Sequence, residues 1–224
     1  MTFTPFDPQR WPRREVFHYF SALAPTGYFL TVQLDVTALR QALRVRNRRF
    51  YPAYLWLVTR NLNRQSEMKT AVRDGRPGYF DTLTPLYAVF HEDDHTFSLM
   101  WTPFDEDFDT FYAHHLENVA CFGDRHGPLS QPQTPPPENA YTVSCLPWVS
   151  FEHFAVHSYG VTPYFLPSVE AGRFIEQDGR TLLPLSITCH HAATDGWHVH
   201  QFLDALQREA NSFEAVAWGG DAEK

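Results

Sequence analysis

Short apolar blocks alternate with polar turns along this chain, and the spacing inside each block predicts its secondary structure. Residues 27–35, Gly-Tyr-Phe-Leu-Thr-Val-Gln-Leu-Asp, are rich in aromatic and β-branched side chains and predict a strand. Strands are also expected at 79–80, 86–91, 96–101, 141–145, 173–176 and 181–189. Leu39, Ala42 and Leu43 recur at helical spacing in a helix predicted over 37–48, with Thr37 as its cap. Pro52 suits the first turn of the next helix, which runs to about residue 63. A short helix over 13–23 follows Trp11-Pro12. Phe202, Leu203, Leu206 and Ala210 share one face of a last helix over 198–213. The acidic cluster Asp105-Glu106-Asp107-Asp109 opens a further helix through about residue 119. Its carboxylates read as favouring that helix N-terminus rather than as a cation site. Strands and helices alternate irregularly, so the expected fold class is α/β, a mixed sheet covered by helices.

Composition narrows the class. A chain of 224 residues with 43% hydrophobic and 16% aromatic content can bury a large core, and no shift in composition divides it. The segment 128–137, with five prolines, reads as a semi-rigid loop. A net charge of -8 argues against nucleic acid or an anionic membrane surface as partner. No apolar run approaches ~18 residues, and the N-terminus lacks the pattern of a secretory signal. Cys121, Cys145 and Cys189 are odd in number and widely spaced, which predicts reduced thiols and a cytoplasmic protein.

Chemistry concentrates at His190-His191-Ala192-Ala193-Thr194-Asp195-Gly196, between the apolar run 182–189 and the last helix. A buried strand ending in paired histidines can hold an imidazole at a rigid edge, suited to moving protons near neutral pH. Alternation along the strand sends His190 to the opposite face, so it reads as structural. A zinc cluster of His190, His191, His198 and His200 is disfavoured because the strand–turn–helix geometry scatters them, and no metal is expected. Taken alone, His-x3-Asp is a weak signal.

Other segments occur in order around it: Trp11-Pro12-Arg13-Arg14-Glu15-x-Phe17, Arg49-Phe50-Tyr51-Pro52, Val89-Phe90-His91-Glu92, Thr96-Phe97-Ser98, Leu146-Pro147-Trp148-Val149-Ser150-Phe151 and Leu183-Pro184-Leu185-Ser186-Ile187. With the double-histidine segment they resemble the trimeric chloramphenicol acetyltransferases, from about residue 3 to about residue 210. The resemblance implies a two-layer sandwich of the CoA-dependent acyltransferase type, with residues 1–224 forming a single acetyltransferase domain. It also implies acetyl-CoA as co-substrate, chloramphenicol as acceptor, antibiotic resistance as the outcome, and a homotrimer with active sites between subunits.

By the same resemblance His191 is the base that deprotonates the acceptor hydroxyl, and Ser144 donates to the developing oxyanion. Asp195 pairs with Arg13 to hold the site's shape. Arg49, Tyr51, Trp148, Arg173 and Phe174 line the coenzyme's path. In the acceptor pocket Phe20, Phe97 and Phe154 keep an aromatic slot. Tyr19, Ala24, Thr26, Val156, Ser158 and Ser168, with the kind of aromatic at Phe20, depart from the family in size or polarity. Glu170 falls where the family has a threonine near the tetrahedral intermediate. An ionised carboxylate would oppose an oxyanion, so Glu170 is expected to point away; binding a cationic part of another acceptor is the second option. The alternatives to chloramphenicol acetylation are the same chemistry on another small hydroxyl or amine compound, and a binding protein that kept the fold without the chemistry.

Overall fold

A computed structural model describes residues 1–132, 135–157 and 164–219. Ten strands and six α-helices are present among them. The larger sheet runs β2 (Gly27–Asp35), β10 (Arg180–His190), β8 (Ser168–Ala171), β7 (Ala140–Cys145), β5 (Thr84–Phe90) and β6 (Phe97–Trp101), with β9 (Ile175–Gln177) paired to β10. The β7–β8 and β5–β7 pairs are parallel and the rest antiparallel, so the sheet is mixed as expected. A second, small sheet joins β1 (Phe3–Pro5), β4 (Arg76–Phe80) and β3 (Thr70–Arg73).

Period-two alternation gives the large sheet two unlike faces. Leu183, Leu185, Ile187 and Cys189 of β10, Val169 and Ala171 of β8, and Tyr141 and Val143 of β7 enter the main core. That core is closed by α2 (Thr37–Val45), α3 (Phe50–Leu62), α4 (Phe108–Phe122), α5 (Gly196–Asn211) and α6 (Phe213–Trp218). The opposite face carries Thr142, Ser144, Ser168, Glu170, Ser186 and Thr188, all polar and side by side in the register. The segment around Phe154 crosses it, and the Phe154 carbonyl accepts from Ser186 Oγ at 2.5 Å.

Several boundaries differ from expectation for local reasons. The first helix is α1 (Arg14–His18), after which the backbone widens into a π turn over Tyr19–Leu23. Thr37 is the first residue of α2 rather than its cap: the N-cap is Val36, and Asp35 Oδ1, just ahead of it, accepts from the Thr37 N–H at 3.0 Å. Asp107 caps α4 by accepting from the Thr110 N–H at 2.8 Å, consistent with carboxylates serving that helix start. Asp195 rather than His198 begins the last long helix, and β1, β3 and β8 were not anticipated.

Candidate active site

The double-histidine segment is held from three sides. His191 follows β10 and its backbone N–H donates to the Thr26 carbonyl at 2.8 Å. Beneath it, Ala192 and Ala193 are buried with Phe17 and Phe165 in a small core of their own. Alanine fits there because the loop backbone lies against those two rings, 5.0 Å apart at their centroids. Arg13, at the start of α1, donates from Nη1 to Asp195 Oδ2 at 2.6 Å and from Nη2 to the His191 carbonyl at 3.3 Å. One guanidinium thus ties both ends of the segment together.

Asp195 carries a second duty that the sequence reading did not assign. It is the N-cap of α5, accepting from the Trp197 N–H at 3.0 Å. His198 Nδ1 sits 2.8 Å from its Oδ1. The same nitrogen accepts from the Asp195 backbone N–H at 3.2 Å, so His198 returns the cap that Asp195 provides. Partial burial works to raise the Asp195 pKa. The Arg13 hydrogen bond, the nearby His198 and the Trp197 N–H outweigh it and hold the carboxyl below its ordinary value. His198 stands at the position where a helix-start capping partner belongs, and that spacing was the available signal.

The His191 ring is half-buried. Phe20 stacks on it at 4.1 Å and 19°, and Tyr28 meets it edge-on at 5.3 Å. Its Nδ1 lies 3.1 Å from the Thr194 carbonyl. A carbonyl has no proton to give, so Nδ1 bears the hydrogen and Nε2 keeps its lone pair. That is the tautomer a proton acceptor at Nε2 requires. Tyr28 donates to Thr194 Oγ1 at 3.1 Å, and burial keeps the phenol's pKa well above normal. His190 packs on Phe165 at 4.7 Å and accepts from the Ala192 N–H at 3.2 Å. Burial depresses its pKa, consistent with a structural part.

Ser144, Ser168 and Glu170 lie together, away from His191. In the register Ser144 stands opposite Glu170 and Glu170 opposite Ser186. His191 comes five residues after Ser186 and two strands over from Ser144. Strand spacings of about 4.8 Å and a rise of about 3.3 Å per residue put the two Cα atoms roughly 19 Å apart. One chain therefore does not bring Ser144 to His191.

Glu170 does not turn away. It shares a face with Ser144, is 2% exposed, and takes a hydrogen bond from Ser168 Oγ at one oxygen. Its other oxygen, Oε2, is buried without a partner among the described residues. Burial pushes its carboxyl up to about 7, against the pull of the Ser168 hydrogen bond. Burial also pushes Cys145 up to about 11 and Cys189 up to about 12, so neither offers a thiolate nucleophile near neutral pH.

The remaining candidates fall into three places. Tyr19, Phe20 and Thr26 sit at the His191 end; Thr26 supplies the carbonyl that anchors it, and Tyr19 is half exposed. Phe154 and Val156 lie on the segment crossing the polar face, and Phe97 is exposed at the start of β6. Ser158 lies outside the described residues. Trp148 is exposed and meets Phe90 at 4.7 Å, where a cavity of about 520 Å³ opens between them. Tyr51, on α3, donates to the Ala88 carbonyl at 3.3 Å. Arg49 and Arg173 are exposed beside one aromatic pair, Phe50 and Phe174, whose rings meet at 4.8 Å. Arg40, not anticipated, lays its guanidinium 4.5 Å over the Phe174 ring. Arg40 is paired with Glu176 at 2.9 Å, so the exposed Arg49 and Arg173 are the cations that suit a phosphorylated adenine nucleotide beside this half-covered aromatic.

With that geometry in place, comparison with known proteins gives a consistent result. The profile of the family described as "Chloramphenicol acetyltransferase" matches residues 1–207. A chloramphenicol acetyltransferase of Campylobacter coli is 38% identical over 208 residues, covering 92% of this chain and 98% of that protein. One from Clostridium perfringens is 34% identical over 223 residues, covering 99% of this chain and all of its own length. Among solved structures, a chloramphenicol acetyltransferase superposes with a TM-score of 0.83 at 22% identity, over 92% of this chain and 99% of that one. The dihydrolipoamide acetyltransferase of Azotobacter vinelandii shares the fold at a TM-score of 0.64 and 17% identity, over 96% and 93%.

Proposed function

The chain belongs to the chloramphenicol acetyltransferase family and is an acyltransferase, and from that premise we propose that it moves the acetyl group of acetyl-CoA onto a hydroxyl of chloramphenicol, conferring resistance. The observation that carries this reading is the His191 ring itself: near-full-length family membership coincides with an imidazole whose lone pair is left at Nε2.

In the proposed step His191 Nε2 takes the acceptor's hydroxyl proton while the oxygen attacks the thioester carbonyl. The carbonyl electron pair moves to oxygen, where Ser144 Oγ–H donates to it. Collapse restores the carbonyl and breaks the carbon–sulfur bond. The leaving thiolate recovers the proton from the imidazolium, so acetate ester and free CoA thiol leave with His191 neutral again. Arg49 and Arg173 hold phosphates, Phe174 meets the adenine, and Tyr51 and Trp148 line the pantetheine path. Arg13 and Asp195 keep the His191 segment in shape. Tyr19, Phe20, Thr26, Phe97, Phe154, Val156, Ser158, Ser168 and Glu170 receive the acceptor.

The separation of His191 from Ser144 supports a homotrimer, in which the base of one copy faces the polar sheet of the next. We place the enzyme in the cytoplasm on its three unpaired cysteines, and take residues 1–224 as one catalytic domain whose acyl transfer uses no metal, with no nucleic acid or membrane partner.

A second reading keeps the chemistry and changes the acceptor. Buried Glu170, bonded to Ser168, gives the pocket wall a polarity suited to a hydroxyl- or amine-bearing compound. At about 7 its carboxyl is partly neutral under working conditions, which eases its conflict with an oxyanion.

The test is acetyl-CoA plus chloramphenicol, following release of free thiol. Turnover by the wild type and its loss in His191→Ala supports the proposal. Absence of turnover on chloramphenicol removes that acceptor, and a panel of hydroxyl and amine acceptors on wild type and Glu170→Thr then decides the second reading. If the substitution changes no rate, Glu170 has no part in selectivity.

A further inference from the structure

Using no residue assigned to acyl transfer, the turn between β5 and β6 meets the segment that follows α4. Two histidines face each other there, His91 from the turn and His126 from the segment, with ring centroids 4.0 Å apart at 17°. Their proton positions can be worked out. Ser98 Oγ donates its one proton to the Arg125 carbonyl at 2.8 Å. The bond between Ser98 Oγ and His91 Nε2, also 2.8 Å, must then be donated by the ring. His91 Nδ1 is left with a lone pair on an imidazole that burial fixes in place. His126 Nδ1 lies 2.9 Å from Asp94 Oδ2, and a carboxylate only accepts, so that nitrogen is the donor. His126 Nε2 lies 3.4 Å from Asp93 Oδ2. That contact is favourable only with a cation between the two atoms, either a proton or a metal ion.

Donor atoms of His91, Asp93 and His126 all fall within 4.8 Å of one another. We propose that these three residues form a divalent transition-metal site, closed by His91 Nδ1, His126 Nε2 and Asp93 Oδ2 with water completing the shell. Two imidazoles and one carboxylate form a donor set suited to Zn²⁺ or Co²⁺. His91 is already braced on its far nitrogen by a hydroxyl, which is how metal-binding imidazoles are oriented, while Asp94 holds the His126 ring in its stacked position. A cavity of about 390 Å³, lined in part by Asp124 and Val119, leaves room for the ion and its waters. The rings lie nearly parallel, so binding needs a swing of the exposed His126 ring toward Asp93. Such an ion would clamp the β5–β6 turn to the end of α4 only a few residues from Phe97.

The test uses whole protein stripped with a chelator and titrated with Co²⁺ alone, then with Zn²⁺ in competition with a chromophoric chelator. The expected result is one tight equivalent per chain with visible d–d absorption from Co²⁺, and a higher melting temperature with metal. His126→Ala and Asp93→Asn should each weaken binding at least about tenfold. His200→Ala, at another exposed histidine, should leave it unchanged. Metal-free His126→Ala should fold and retain its acyl-transfer rate, which separates this site from the catalytic reading. Wild type binding metal no more tightly than His126→Ala overturns the proposal.

Discussion

The two halves of the candidate site are built on opposite plans. Around His191 the chain supplies partners locally: Arg13, Thr26, Thr194, Asp195 and His198 interlock within one small region. Across the sheet, Ser144 and Glu170 sit on a polar face where Glu170 Oε2 is buried without a partner among the described residues. Within one chain the His191 ring has its partners in place, whereas Glu170 Oε2 lacks one among the described residues, as Arg13 Nε does too. A base must be held in one tautomer and one orientation, which intramolecular bonds can do. An acceptor wall can be left open for a neighbouring copy and a substrate to finish.

The largest effect is expected at the His191 half. His191→Ala should lower kcat by about 10²–10⁴-fold or more with little change in melting temperature, read by thiol release. Ser144→Ala should cost about 10²–10³-fold in kcat with KM nearly unchanged, since the hydroxyl is assigned to the oxyanion alone. A similar rate for Ser144→Ala and wild type would detach the second half from the chemistry.

Glu170 sharpens the contrast through pH. Its folded-state pKa stands near 7, above the ordinary 4.5, so the folded protein prefers the protonated form. The associated stability is fully present below about pH 4.5 and drains as pH rises through 7. Glu170→Gln removes this dependence. Relative to wild type it should gain at most about 3 kcal/mol between pH 5 and pH 8, measured by denaturant melts. A gap that stays constant with pH would place the carboxyl in a wetter setting. Smallest is the brace itself. Arg13→Ala should cost about 1–2 kcal/mol, discounted because Asp195 is partly exposed, and shift the melting temperature by a few degrees.

How much of this was legible in the sequence follows the same division. The apolar run into His190-His191 and the Asp-Gly turn located β10 and α5, because strand and helix periods change there within a few residues. The Arg13–Asp195 pair came from family resemblance, and its geometry matches that expectation. What escaped was non-local or doubly used. Strand β8 is only Ser168–Ala171, with a polar residue at every second position, and gives no apolar signal of its own. Asp195 could be read as an ion-pair partner or as a helix cap, and it is both. The orientation of Glu170 depended on which face of β8 meets the core, and that follows only from its pairing with β7 and β10. His91 and His126 are far apart in the chain and become neighbours only when α4 packs across the sheet.

The central claim, that the base of one copy works on the polar face of another, is tested most directly by mixing two dead enzymes. In the proposed trimer, His191→Ala and Ser144→Ala proteins unfolded together and reassembled in equal amounts would give some interfaces that join an intact His191 to an intact Ser144. Random assembly predicts recovery of about a quarter of the wild-type rate, while each variant reassembled alone stays inactive. No recovery, with mixed trimers demonstrated by native mass spectrometry, would contradict the account.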